Sequence, residues 1–150
     1  MRPWKRKKVI GRTDCVDFPH LKLKGVSVKI DTGAYTSSLH CHSIEEVQKK
    51  DKKVIRFIPL DPSHDQFKKK AFEIDNYETR SIRNSFGSDE ERFVITTEVI
   101  LYGETFEIDF SLTDRSDMKY PILLGRKLLA NLFVVDVAKT NLSFKTKVKK

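Results

Sequence analysis

Asp31, Thr32 and Gly33 stand in a row at the end of an apolar segment that finishes with Ile30. Two carboxylates a hydrogen bond apart cannot both ionise, so they share a proton and can hold one water between them. The ionised carboxylate takes a proton from the water, and the protonated one donates to the developing oxyanion of an amide. Because the sequence contains a single Asp-Thr-Gly, this chemistry requires Asp31 from each of two identical subunits.

The neighbours of Asp31 have predicted roles in such a site. Thr32 is expected to brace the loop by hydrogen bonding across the dimer axis. Gly33 is expected to let the backbone approach closely, with its amide turned toward the carboxylate. The same tripeptide also fits an ordinary turn, with Asp31 in an Asx-turn and Gly33 at positive φ. The alternating strand before Asp31 and the distant segment Pro121-Ile122-Leu123-Leu124-Gly125-Arg126 favour the catalytic interpretation.

The segments at residues 31–40 and 114–126 together resemble the retropepsin-like family that is often labelled ATP-dependent zinc proteases. The resemblance covers roughly residues 9 to 140. It implies an aspartic endopeptidase with catalytic Asp31, working as a homodimer on a peptide or protein substrate. It also implies a flap near residues 81–92, and a strand ending in Gly125 and Arg126 that supports the catalytic loop from behind. The predicted substrate contacts lie in the loop, the following strand and the flap: Ala34, Tyr35, His40, Arg83 and Gly87.

The chain departs from the viral members of this family at one position. There, an acidic residue shortly after Asp-Thr-Gly-Ala pairs with the arginine that matches Arg126. Here that position is Tyr35, so Arg126 needs another partner, such as a backbone carbonyl or a nearby acid. Tyr35 also motivates an alternative, a non-catalytic module that keeps the fold for partner recognition. The family resemblance implies an association with ATP-grasp ligases that attach amino acids to proteins or peptides.

The zinc and ATP labels find little support in the residues. His40 and His42 would face the same side of a strand and are weak candidates for metal ligands. A zinc site still needs further ligands, and there is no His-Glu-x-x-His. We therefore predict no metal, and a zinc hydrolase is the weakest alternative. The sequence has no Walker-type glycine-rich loop, so we predict no bound cofactor.

The elements that position these residues are predicted to be β-strands. Val26, Val28 and Ile30 alternate with polar residues, and so do the apolar residues between Phe106 and Leu112. Gly103-Glu104 is predicted to turn a hairpin, and residues 54–60 form a further strand. One short helix is expected from about Arg126 to Asn131. The fold class is therefore all-β, a retropepsin-like closed barrel with one short helix after the Gly125-Arg126 strand.

Composition excludes several function classes. The 150 residues predict one domain at 9–144, between basic tails at 1–8 and 145–150. The net charge is +8, but the tails hold 5 + 4 of the 29 basic residues, which leaves 20 against 21 acids. We therefore predict no specific nucleic-acid site. The apolar runs are too short for a membrane span. Two cysteines, Cys15 and Cys41, fit a reduced, cytoplasmic setting.

Overall fold

The computed structural model describes residues 6–83, 86–114 and 120–148. Most of the described chain is β structure, in agreement with the prediction. Its elements are, in order, β1 Lys8–Ile10, β2 Thr13–Phe18, a 3-10 turn Pro19–Leu21, β3 Leu23–Ile30, β4 Ser37–Gln48, β5 Lys53–Pro59, β6 Phe72–Ile74, β7 Tyr77–Arg83, β8 Asp89–Leu101, β9 Glu104–Thr113, β10 Ile122–Leu124, α1 Arg126–Leu129, β11 Phe133–Val135 and α2 Leu142–Val148.

The strands are joined in a ring. The main sheet has the order β10-β3-β2-β8-β9-β4-β5-β6. An additional pairing between β4 and β10 closes the ring. Strand β10 is therefore held between β3, which it pairs in parallel, and β4, which it pairs antiparallel. The interior holds a buried apolar core that includes Phe18, Phe57 and Phe110. A separate two-stranded sheet pairs β1 with β11 in parallel.

The alternation in the sequence is confirmed in β3. Val26, Val28 and Ile30 are buried, while Ser27 and Lys29 between them are exposed. The hairpin between β8 and β9 is also confirmed, one residue earlier than predicted. Leu101 pairs with Glu104, and the two turn residues are Tyr102 and Gly103, both at positive φ (56° and 73°). Such a two-residue turn matches the twist of the flanking strands.

The prediction of a single helix is wrong, because α2 was missed. Its first amides are held by Asp14, a fully buried residue of β2. The Asp14 carboxylate accepts the amides of Ser143 (2.9 Å), Phe144 (3.1 Å) and Cys15 (2.7 Å). Burial raises the pKa of Asp14 above its ordinary value of 3.8, although these amides oppose the rise. A contact 129 residues away in sequence thus fixes where this helix begins.

The predicted tails overlap the structure only in part. Residues 1–5 and 149–150 lie outside the described residues. Helix α2 crosses the predicted boundary between 144 and 145, so part of the basic C-terminal segment is helical. Helix α1 is shorter than predicted and ends at Leu129, and Asn131 has a φ of 71°. No helix within the described ranges is long and apolar enough to cross a membrane.

Candidate active site

Asp31 lies directly after the last residue of β3. The Asp31 amide donates to the Leu124 carbonyl at 2.9 Å, and the Ala34 amide donates to the Asp31 carbonyl at 3.3 Å. The side chain is half-buried, and its Oδ1 accepts the Gly33 amide at 3.0 Å. No cation in the described ranges comes within ion-pairing distance of this carboxylate. The loop therefore presents Asp31 with one oxygen fixed by the backbone and, among the described residues, no cation paired with it.

Thr32 and Gly33 form the exposed tip of this loop. The amide of Gly33 faces the carboxylate, as the sequence predicted. A Cβ at Gly33 would lie 3.3 Å from Asp31 Oδ1, a tight contact that would push on the carboxylate. Glycine at this position thus keeps the side chain of Asp31 where the amide can hold it.

The segment from Gly125 holds the loop from behind. The amides of Arg126 and Lys127 donate to the carbonyls of Ala34 (2.8 Å) and Tyr35 (2.9 Å). A Cβ at Gly125 would lie 2.8 Å and 2.7 Å from these same oxygens, closer than such atoms approach in proteins. The position therefore requires glycine, because the start of α1 and the loop share this space.

Ser37 is a supporting residue that the sequence analysis missed. Its buried side-chain Oγ accepts the Gly125 amide at 3.0 Å, which satisfies a donor that would otherwise be unpaired inside the protein. Nothing in the local sequence marks Ser37 among Thr36, Ser37 and Ser38. Its role depends on Gly125, 88 residues further along the chain.

Arg126 finds two partners in place of the missing acid. Its Nη1 donates to the Thr32 carbonyl at 3.0 Å. Its Cζ lies 5.9 Å from the centroid of the Tyr35 ring, within the range of a cation–π interaction. The guanidinium is thus bound to the loop by a backbone carbonyl, as one of the predicted options had it, and by the tyrosine that replaces the acid.

We expect Tyr35→Ala to lower the free energy of unfolding by about 1 kcal/mol, the size of an exposed cation–π interaction. Tyr35→Phe keeps the ring face and is expected to change it by less than about 0.5 kcal/mol. Chemical denaturation of both variants measures the difference. Equal losses in the two variants would show that the hydroxyl, rather than the ring, is what matters.

The predicted substrate contacts in the flap lie on the hairpin of β7 and β8. Arg83 is exposed and pairs across the hairpin with Asp89, 3.5 Å away. Gly87 has a φ of 80° near the tip, next to Phe86, which is 88% exposed. A hairpin at this place agrees with the predicted flap. Contacts between substrate and Arg83, Gly87, Ala34 or Tyr35 remain predictions.

His40 is buried, unlike a side chain that contacts substrate at the surface. It is 2% exposed, and its Nε2 lies 2.8 Å from Asp61 Oδ2. The hydroxyl and the amide of Ser63 both donate to the Asp61 carboxylate. Together with His40, they hold the pKa of that carboxyl below its usual value. Asp61 is therefore the anionic partner of this pair. The predicted contact between substrate and His40 stays a prediction, and the structure gives the ring Asp61 as its partner.

The prediction that His40 and His42 share one face is wrong. The strand pairing shifts between Cys41 and Ser43, so His40 points into the interior while His42 is exposed and packs edge-on against Phe67. Within the described part of the chain, no group of three or more His, Cys, Asp or Glu side chains is close enough to hold a metal. These two histidines do not form a shared ligand set.

Comparisons with known proteins identify the family of this chain. A family model described as RimB-like, retropepsin-like aspartic endopeptidase RimB, matches residues 9–146. A probable alpha-L-glutamate ligase from Parasynechococcus marenigrum is 33% identical over 131 residues, which is 87% of this chain and 28% of that protein. A probable alpha-L-glutamate ligase from Desulfotalea psychrophila is 30% identical, with 88% and 28% covered. The chain thus spans little more than a quarter of these relatives.

A solved structure shares the fold. The crystal structure of Lpg0085, a protein of unknown function (DUF785) from Legionella pneumophila, matches with a TM-score of 0.70 and 27% sequence identity. The match covers 91% of this chain and 98% of that one. The overall fold is therefore shared with an experimentally determined protein of similar length.

Proposed function

The chain belongs to the RimB-like family of retropepsin-like aspartic endopeptidases, and we propose that it hydrolyses amide bonds as a homodimer. In this proposal the Asp31 carboxylates of two subunits meet across a two-fold axis and hold one water. The observation that carries it is the clamped loop: Asp31 Oδ1 accepts the Gly33 amide, while Arg126 and Lys127 anchor the loop from behind. Such preorganisation keeps a catalytic carboxylate within reach of its twin.

The proposed reaction follows from a shared proton. One Asp31 is ionised and takes a proton from the water, while the oxygen of that water attacks the amide carbon. The other Asp31 is protonated and donates to the carbonyl oxygen, which becomes a hydroxyl in the tetrahedral intermediate. When the carbon–nitrogen bond breaks, a proton passes to the leaving nitrogen and the carbonyl re-forms. The pair then again holds one proton, so each turnover ends where it began.

An exposed apolar surface supports the two-fold assembly. Val9 and Val134 lie side by side in the β1–β11 pair and are 45% and 53% exposed, and Val137 nearby is 72% exposed. This surface is connected to the end of β3, because Arg12 donates to the Val137 carbonyl and its own carbonyl accepts the Ile30 amide. Apolar side chains exposed beside an incomplete site fit an interface between two copies.

Light scattering tests the assembly. The proposal predicts a mass near 34.8 kDa, twice the 17.4 kDa of one chain. Val134→Asp is expected to give monomers without hydrolytic activity, because a charge would be buried at the interface. Ser43→Asp adds the same charge to an exposed residue of β4 and serves as the control. A strictly monomeric wild-type protein would contradict the dimer and favour the non-catalytic binding module.

The relatives suggest a functional partner. These relatives are named probable alpha-L-glutamate ligases, and this chain covers only 28% of their length. We propose that the chain works alongside an ATP-grasp ligase and cleaves amide bonds of the kind such a ligase forms. We also propose a cytoplasmic setting, from its two unpaired cysteines. Incubation of the chain with ligase-modified protein tests this substrate. Modified protein that stays uncleaved after prolonged incubation would contradict the proposed substrate.

A further inference from the structure

Five lysines form a basic cluster around the beginning of β3. Lys22 and Lys24 flank Leu23, and Lys68, Lys69 and Lys70 lie in the loop between β5 and β6. All five are exposed, and none forms an ion pair with any residue that the structure describes. Elsewhere on this surface lysines do pair, as Lys52 does with Asp75. The cluster is therefore a local excess of positive charge.

The cluster surrounds a cavity of about 150 Å³. Its apolar lining comes from two buried leucines, a proline and a half-buried aromatic ring: Leu21, Leu23, Pro59 and Phe72. Its polar lining is Lys22, Gln66, Lys68 and Lys70. The cavity is the size of a small ligand, and it is too small for a helix or a folded partner. A few convergent polar groups beside apolar side chains are typical of ligand sites, and this cavity is below the roughly 300–1,000 Å³ of drug-sized sites.

The two halves of the cavity are fixed to each other by Gln66. Its Oε1 accepts the Lys24 amide at 3.0 Å, and its Nε2 donates to the Lys24 carbonyl. This pair of hydrogen bonds joins the loop that carries Lys68, Lys69 and Lys70 to the beginning of β3. Lys22 itself has a φ of 56°, a left-handed conformation that is uncommon for a long side chain.

The positive charges are close enough to oppose one another. The pKa of Lys70 is lowered from its ordinary value, first by the side-chain contact with Lys22 and second by the positive charge of Lys22. Asp17 lines an adjoining cavity together with Lys22 and Lys24, and its Oδ1 accepts the Gly25 amide at 2.7 Å. Lysines converging on one cavity without a carboxylate among its lining residues are a ready binding site for an anion.

We propose that this cavity binds a small multivalent oxyanion, carrying either phosphate or carboxylate groups. Lys22, Lys68 and Lys70 would contact the anionic groups, and Leu23 and Phe72 would contact the apolar part of the ligand. The cavity lies at the first residue of β3, whereas Asp31 follows the last. The strand rise separates them by about 23 Å, so the site stands whether or not Asp31 is catalytic.

Calorimetric titration of the full chain at low ionic strength, with pyrophosphate and separately with citrate, tests the site. We expect one saturable site per chain, with affinity falling as salt is added. Tighter binding of pyrophosphate would identify a phosphorylated ligand, and tighter binding of citrate a polycarboxylate; both support the site. Lys22→Ala and Lys70→Ala should each weaken binding about tenfold, the loss of one charged hydrogen bond.

Lys50→Ala is the matched control, because Lys50 is an exposed lysine in the distant β4–β5 turn. It is expected to bind as wild type does. The absence of saturable binding with either anion would overturn the proposal. Equal weakening by Lys50→Ala and Lys70→Ala would also overturn it, because the attraction would then come from net charge alone. Thermal unfolding confirms that each variant is folded.

Discussion

Asp31→Asn is expected to abolish amide hydrolysis, with a loss of at least about 10³-fold, while the chain stays folded. The change removes both carboxylates of the proposed pair at once, because each subunit carries it. An amide neither takes a proton from water nor donates one as an acid does. Its carbonyl oxygen can still accept the Gly33 amide, which Asp31 Oδ1 accepts in the wild type. The loop should therefore keep its shape.

The measurement is cleavage of a susceptible peptide, selected from a library with the wild-type protein. Asp51→Asn is the control, since Asp51 is an exposed carboxylate in the β4–β5 turn. It should cleave at the wild-type rate. Near-wild-type cleavage by a folded Asp31→Asn protein would show that the aspartic mechanism is wrong.

Gly125→Ala is expected to cost about 1–3 kcal/mol of unfolding free energy, as overpacked sites do, and to eliminate activity. The added Cβ would lie 2.7 Å from the Tyr35 carbonyl oxygen and 2.8 Å from that of Ala34. These two oxygens accept the amides of Lys127 and Arg126. Relieving the contact must therefore move α1 away from the loop that carries Asp31.

Thermal unfolding and the cleavage assay together measure this effect. Gly103→Ala is the control: its φ of 73° makes alanine unfavourable, but no atom lies within 4 Å of the added carbon. It should lose about 1 kcal/mol of stability and keep its activity. Wild-type cleavage by Gly125→Ala would show that α1 does not position the catalytic loop.

Local patterns in the sequence were enough to predict the strand that delivers Asp31. Its alternation, in Val26, Val28 and Ile30, reflects a face that packs on the core, and the structure has that face buried. The direction of the Gly33 amide was predictable from the motif, and the structure has it donating to Asp31. Gly125 was placed by the family resemblance, and the structure adds the reason for glycine: the carbonyl oxygens of Ala34 and Tyr35 occupy the space of a Cβ. Period and motif both belong to short stretches of chain.

Contacts between distant segments were beyond the reach of such patterns. Helix α2 begins where Asp14 holds the amides of Ser143 and Phe144, and nothing between 142 and 148 signals that partner. The interaction of Arg126 with Tyr35 likewise depends on folding, because the expected acid is absent from the sequence. Register shifts are equally hidden: one between Cys41 and Ser43 turns His42 outward while His40 stays buried.

The most direct test of the central claim is to mix subunits. Wild-type protein and Asp31→Asn protein are unfolded together, refolded at a fixed total concentration, and assayed at several ratios. If each site needs Asp31 from both subunits, activity falls as the square of the wild-type fraction, and an equal mixture keeps about one quarter. Activity that falls in direct proportion, with one half remaining in the equal mixture, would contradict a shared site.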